Sequence, residues 1–320
     1  MNLTRKRSIC DVPGIKVGSQ QNLEALTGCT VVLTGKQGAV CGVDVRGSAP
    51  GTRETDLLHP LNMIERVHAV LLTGGSAYGL DAAGGVMDFL EEQGIGHPAG
   101  PAVVPIVPAA VLFDLGVGDF RVRPDRNMGY TACQLASFEV QEGNWGAGTG
   151  ATIGKTRGVT HCTKSGLGTW SESLPGGLVV GAVVAVNALG DVMDLQGNII
   201  GGMRGPDQRS FPGTLAFWKE SGGAPGTPGQ NTTIAVVASN ARLSKSEVNK
   251  VAQTAHNGLA QVINPVHTMY DGDTVFALAA GEIQADVNLV ASMAAEVLAQ
   301  AVVRAVHNAQ TVQGIRAWNG

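Results

Sequence analysis

The run LVVGAVVAVN, Leu178 to Asn187, has no charge and a single side chain with polar atoms, its last. A continuous apolar stretch rich in β-branched valine, bounded by glycines, predicts a buried strand that ends at Asn187 and turns at Gly190–Asp191. A chain that carries such a strand must cover it. Other elements supply the cover. Ala69–Leu72 before TGGS and DTVFALAAG at 273–281 read as further core strands, as does Thr233–Ala238. Leu80, Val86, Met87, Phe89 and Leu90 recur at helical spacing, and NMGYTACQLAS predicts a short helix. Ser244 and Glu247 have capping-box spacing ahead of Val248, Val251, Ala255, Leu259 and Val262. An alanine-rich helix over DVNLVASMAAEVLAQAVVRAVHNA closes the chain. Pro105 and Pro108 exclude a regular central strand through their own positions. The order predicts an α+β fold of helices over β-layers in one domain, 1–320, with the Gly- and Pro-rich stretch 201–231 as an internal loop.

Only 15% of the 320 residues are charged, against 44% apolar, which fits a heavily buried protein and leaves little polar surface for a monomer. A net charge of −4 gives no electrostatic reason to expect a nucleic-acid partner. No run of 18 apolar residues predicts a membrane span, and the basic TRKR is followed by SICDVPGIKVG rather than an apolar signal segment. The five cysteines form no CxxC pair and the seven histidines no HExxH pattern, so neither a disulfide framework nor a metal is expected. These features together suggest a cytoplasmic protein without a cofactor.

Several stretches carry polar groups where chemistry could occur. GAGTGATIGKT, 146–156, approaches a phosphate-binding loop, but Thr149 stands where the first glycine belongs and no helix pattern follows Lys155. TGGSAYGLDAAGG reads first as glycines that let a helix pack close to a strand. NTT at 231–233 fits a glycosylation sequon, which has no meaning without a secretory signal. Thr232 and Thr233 can simply begin a strand. Alternatively, cleavage before Thr232 would place an α-amine beside its own hydroxyl, and that amine, with a pKa near 8, could act as the base a threonine nucleophile needs. Asp271 and Asp273 flank Gly272, either as a solvated turn or as paired carboxylates that orient a hydroxyl. Asn187 is either a turn cap or a side-chain donor to an oxyanion. Lys155 is either a surface cation or a charge placed near such a site.

DVPGIKVG, TGCTVVL, VDVRGSAPGTRETDLL, VHAVLLTGGSAYGLDAAGGVMDFLEE, GAGTGATIGK, VVGAVVAVNALGDV, NTTIAVVASNARLSK and DGDTVFALA occur in that order. Together they resemble, across nearly the whole chain, the self-processing L-aminopeptidase/D-esterase (β-aminopeptidase) family, which includes the 6-aminohexanoate (nylon) oligomer hydrolases. The resemblance implies a four-layer αββα sandwich of the N-terminal-nucleophile type, related to the ornithine acetyltransferase fold. It also implies self-cleavage between Asn231 and Thr232 into chains 1–231 and 232–320, which stay together and assemble further, as a tetramer of processed heterodimers. Thr232 is then the nucleophile, Asn187 the oxyanion donor, Asp271 and Asp273 the orienting acids and Lys155 the active-site lysine. Tyr130, in NMGYTA, matches a family tyrosine. Asn before Thr, and DGD, resemble the oligomer-hydrolase branch, since the aminopeptidase branch has Gly before Ser, and Ser and Glu at the acidic positions. The implied substrates are peptides, β-peptides, amino-acid amides or linear oligoamides, with no cofactor. An acyltransferase of the ornithine acetyltransferase type would keep the same nucleophile, and a catalytically silent small-molecule-binding member would keep only the fold.

Overall fold

The computed structural model describes residues 7–223 and 230–320. Most of the basic start and the central part of the Gly- and Pro-rich stretch, 224–229, lie outside the described residues.

Two sheets form the centre. The larger has six strands in the spatial order Leu167–Ser173, Val179–Asn187, Thr232–Ala241, Thr274–Ile283, Ala39–Val45 and Arg66–Val67. Thr232–Ala241 and Thr274–Ile283 run parallel, while the other neighbours are antiparallel. The smaller sheet has the order Lys16–Asn22, Thr27–Leu33, Ala69–Thr73, Ala109–Val111 and Thr52–Arg53. The strand at Ala109 begins just after Pro108, as the missing proline N–H requires.

The unbroken apolar runs have a direct cause. Along Thr232–Ala241, Ala235 and Val237 enter one core while Ile234, Val236 and Ala238 enter another. Successive strand side chains point to opposite faces, so a sheet buried on both faces cannot alternate polar and apolar residues. On one face of the larger sheet pack helices α4, here Lys245–Val262, and α5, Val287–His307. Helices α1, Ala82–Glu92, and α2, Arg126–Gln134, pack on the outer face of the smaller sheet with Cys29, Val31, Ala69 and Leu71. Between the sheets, Val32, Val70, Leu72, Ala110 and Leu112 meet Val183, Ala185, Ile234, Val236 and Phe276.

α4 starts where the capping box predicts. Ser244 accepts from the Glu247 backbone N–H and the Glu247 carboxylate returns to the Ser244 backbone, an arrangement worth about 1 kcal/mol. α5 is long and apolar enough to cross a bilayer, yet its buried residues sit in the core against α4 and the larger sheet. It is a core helix.

One local expectation fails. The stretch 201–231 is not loop throughout, because Thr214–Ser221 is a helix, α3. Its start is held by Asp191, whose carboxylate accepts from the Thr214 backbone N–H and, at 2.9 Å, from its hydroxyl. The cap comes from 23 residues away, so no local pattern marks it. Trp218 secures the other end by donating from Nε1 to Thr156 Oγ1 at 3.0 Å.

Candidate active site

Strand register brings four predicted residues to one end of the larger sheet's interior strands. Asn187, the last residue of its strand, pairs with Thr232, the first of the next. Because Thr232–Ala241 and Thr274–Ile283 are parallel, their N-terminal ends lie side by side, which puts Asp271–Asp273 next to Asn231–Thr232. All of these residues are 3% exposed or less, so the polar groups here act in a low-dielectric setting.

The Thr232 hydroxyl donates to the carbonyl oxygen of Asn231. That same oxygen accepts the Gly272 N–H at 2.9 Å. Gly272 must be glycine at this contact, since a Cβ there would lie 2.8 Å from Thr232 Oγ1 and 2.6 Å from Ala49 O. The carbonyl of the Asn231–Thr232 bond is therefore polarised by two donors, one of them the neighbouring hydroxyl.

Asn187 is held at both ends of its amide. Its Oδ1 accepts from Thr152 N at 3.0 Å and Lys155 Nζ at 2.7 Å, while its Nδ2 donates to Phe113 O at 3.0 Å and Gln230 O at 3.4 Å. Two obligate donors at one end and two carbonyls at the other leave only one amide orientation that satisfies all four. Lys155 Nζ also donates to Asn187 O at 2.9 Å and Thr152 O at 3.0 Å, which uses all three ammonium hydrogens. Burial nevertheless lowers its pKa to about 7, with Cys162 and the carboxylates of Asp271, Asp114 and Asp273 pulling the other way.

The two carboxylates take different partners. Asp271 Oδ2 accepts from the Thr268 N–H at 3.0 Å and from its hydroxyl, while Oδ1 accepts from Leu189 N at 3.4 Å. Asp273 Oδ1 accepts from Thr233 N at 2.7 Å and Oδ2 from His267 Nδ1 at 2.8 Å. Burial raises the Asp271 pKa to about 6, and the negative charge of Asp273 adds to the rise.

A narrow cleft of about 20 Å³ opens beside these groups, lined by Phe113, Asp114, Val117, Thr152, Lys155 and Gln230 among others. A larger one, about 370 Å³, lies on the α1–α2 side around Lys16, His68 and Phe89 and shares none of these residues. Tyr130 is not brought to Thr232 and its partners. It sits on α2 in the outer helix pair, edge-on to Phe89 of α1, with its hydroxyl donating to Glu92 at 2.7 Å. Its short motif matched by residue type, and the packing of α2 on the outer face of the smaller sheet decided its place.

The glycine-rich stretches surround the cleft without forming phosphate loops. Gly146–Gly148 and Lys155–Arg157 are short 3₁₀ turns either side of a two-residue strand, Thr152–Ile153. In TGGS, the Gly75 N–H donates at 2.7 Å to Asp114, and a Cβ on Gly74 would lie 2.0 Å from the same carboxylate. Asp114, buried and with a pKa raised by burial to about 6, was not singled out from sequence. Neither were Phe113, Thr152, Gln230, His267 and Gly272. Gly272 lies inside DGD, Gln230 directly before Asn231, Thr152 inside GAGTGATIGKT and His267 shortly before DGD, so position could have flagged these four, whereas Phe113 and Asp114 contact the site through tertiary structure alone. Among the described residues no group of three or more His, Cys, Asp or Glu side chains could hold a metal ion.

Comparison with known proteins gives the family. The model of Peptidase family S58 matches residues 7–318. An uncharacterized aminopeptidase of Mycobacterium tuberculosis (strain H37Rv) is 44% identical, covering 96% of this chain and 96% of that protein. A 6-aminohexanoate-oligomer endohydrolase of Paenarthrobacter ureafaciens is 33% identical over 85% of this chain and 75% of its own. Among solved structures, a β-aminopeptidase of Burkholderia sp. superposes with a TM-score of 0.72 at 22% identity, covering 98% of this chain and 90% of that one. The L-aminopeptidase D-Ala-esterase/amidase of Ochrobactrum anthropi, described as a variant of the Ntn hydrolase fold, gives 0.71 at 20% identity, with 95% and 86% covered. The chain belongs to Peptidase family S58 and is a hydrolase of amide bonds.

Proposed function

We propose that this chain cleaves itself between Asn231 and Thr232 and then works as an N-terminal threonine amidohydrolase, an aminopeptidase in the wide sense. The observation that carries this reading is the Thr232 hydroxyl resting on the Asn231 carbonyl, whose oxygen the Gly272 N–H already holds. Attack by Oγ1 on the Asn231 carbonyl carbon would form a C–O bond, break the C–N bond and leave an ester with a free Thr232 amine. Water would then open the ester, releasing an Asn231 carboxylate and restoring the hydroxyl.

The same geometry suggests why cleavage would switch on turnover. In the continuous chain, Asn187 Nδ2 is occupied by the carbonyls of Phe113 and Gln230. Departure of the new C-terminus with Gln230 would free one donor of Asn187 for a substrate oxyanion and enlarge the cleft beside Lys155. In turnover the Thr232 amine takes the proton of its own hydroxyl, the oxygen attacks a substrate amide carbonyl, the C–N bond breaks as that proton passes to the leaving amine, and water then opens the acyl-enzyme. Lys155 would hold Asn187 with its Nδ2 outward, and Asp273 would fix the backbone at Thr233.

Peptides, β-peptides, amino-acid amides and linear oligoamides suit this nucleophile, and the names of the aminopeptidase and oligomer-hydrolase relatives support that range. The helix pair, two sheets and second helix pair we read as a four-layer αββα sandwich of the N-terminal-nucleophile type, related to that of the ornithine acetyltransferases. Intact-mass analysis of purified protein, followed by a panel of amide substrates with and without an acceptor amine, tests the whole reading. Fragments split at 231/232 with amide hydrolysis are expected. A single uncleaved chain that hydrolyses amides would refute the role of Thr232, and acyl transfer in preference to hydrolysis would refute the reaction class.

A further inference from the structure

We propose that His267 is a positioning residue for the Thr232 nucleophile, acting through Asp273; this rests on the assignment of Thr232 proposed above. Asp273 reaches Thr233 with Oδ1, and Oδ2 is held twice by one residue, through His267 Nδ1–H at 2.8 Å and the His267 backbone N–H at 3.2 Å. A carboxylate tied at one oxygen only can rotate about its Cβ–Cγ bond. Pinning Oδ2 with two donors fixes that rotation and aims Oδ1 at the Thr233 N–H, one peptide from the residue whose hydroxyl and amine must align.

Three features of His267 fit this role better than simple packing. Its backbone has φ +56°, an uncommon conformation for a non-glycine residue, and a loop conformation in which ring and backbone N–H reach the same oxygen. Its ring stands edge-on to His256, with centroids 4.8 Å apart at 73°, and His256 is itself anchored by Nε2–H donation to Asp44 O at 3.0 Å. Finally, because a carboxylate can only accept, Nδ1 carries a proton toward Asp273, and Nε2 is buried without a partner among the described residues. Burying an unpaired polar nitrogen is costly, so an apolar ring would serve packing better. What histidine adds here is the Nδ1–H.

The test compares His267→Gly and His267→Asn with the parent, counting turnover per free Thr232 terminus so that altered processing does not enter kcat. Glycine accepts the positive φ but removes the ring. Asparagine also tolerates that φ, and its amide N–H can take the place of Nδ1–H. The expected result is a drop in kcat of about ten- to a hundredfold for His267→Gly with KM within about twofold, and recovery of most of that loss in His267→Asn. Melting temperatures of all three are measured alongside. Unchanged kcat in the glycine variant, with or without a lower melting temperature, would overturn the proposal, as would an asparagine variant no better than glycine. An uncleaved but active parent would instead remove the nucleophile assignment itself, whatever the His267 variants do.

Discussion

Asn187 and Thr232 face each other across two antiparallel strands, one the last residue of its strand and the other the first. The amide of Asn187 is clamped by Lys155 and Thr152 at its oxygen, so its N–H₂ end lies on the side of the Asn231–Thr232 junction, against Gln230. From this pairing the following outcomes are expected.

Thr232→Ala should remain one uncleaved chain and lose amide hydrolysis, while Thr232→Ser should retain both reactions at reduced rates. Denaturing gels and intact mass report the first, and release of amine from an amino-acid amide the second.

Asn187→Ala should lower kcat by a factor on the order of 10² to 10³, about 3 kcal/mol of transition-state stabilisation. It also strips Lys155 of an acceptor, so Lys155→Met should produce a smaller loss in the same direction, with the double variant less than additive. Steady-state kinetics on all three variants checks both points.

Activity should fall on acidification in two steps, first at about pH 8 as the Thr232 amine is protonated and again at about 6 as Asp271 takes up its proton. Asp271→Asn should remove only the lower step from a kcat profile between about pH 4.5 and 9. The stability effect has the opposite sign. The folded pKa of about 6 lies above the ordinary carboxylate value of about 3.9, so ionised Asp271 opposes folding above pH 6 and protonation relieves it between about 6 and 4. Denaturation of the parent and Asp271→Asn at pH 4.5 and 7.5 should show this term only in the parent.

Lys155 should give stability a rise toward alkaline pH. Its folded pKa of about 7 lies below the ordinary lysine value of about 10.4, so between these limits the unfolded chain binds more protons. Stability then increases from about pH 7 to 10 as this burden is lifted. Lys155→Met should flatten the rise in urea midpoints over that range.

Gly272→Ala should block self-cleavage without unfolding the protein. A methyl group there meets both Ala49 O and the Thr232 hydroxyl, displacing the strand edge that polarises the Asn231 carbonyl. A processed Gly272→Ala protein at parental yield would contradict this.

Much of the fold was legible because its main signals are local. Val179–Asn187 reads as a strand from its composition, α4 from its capping box, and the break at Pro105 and Pro108 from the chemistry of proline. The candidate residues Thr232, Asn187, Asp271, Asp273 and Lys155 were legible through ordered motifs, and the fold brings all five together. Tyr130, matched on a few residues, lies on the outer helix pair instead.

By itself, then, the sequence determined the main core strands and helices, though not α3 or the strands between Lys16 and Val45, and which stretches carry the polar groups, since hydrophobic periodicity, caps and turn residues act over a few neighbours. Tertiary structure alone decided the partners. The parallel pairing of two strands set DGD beside Thr232, His267 closed on Asp273, and Asp191 capped a helix 23 residues away. The first and last of those contacts depend on register and packing between separate segments, and the second on how the loop of 267–273 closes on itself, so a buried polar group is satisfied by whatever the fold brings within about 3 Å.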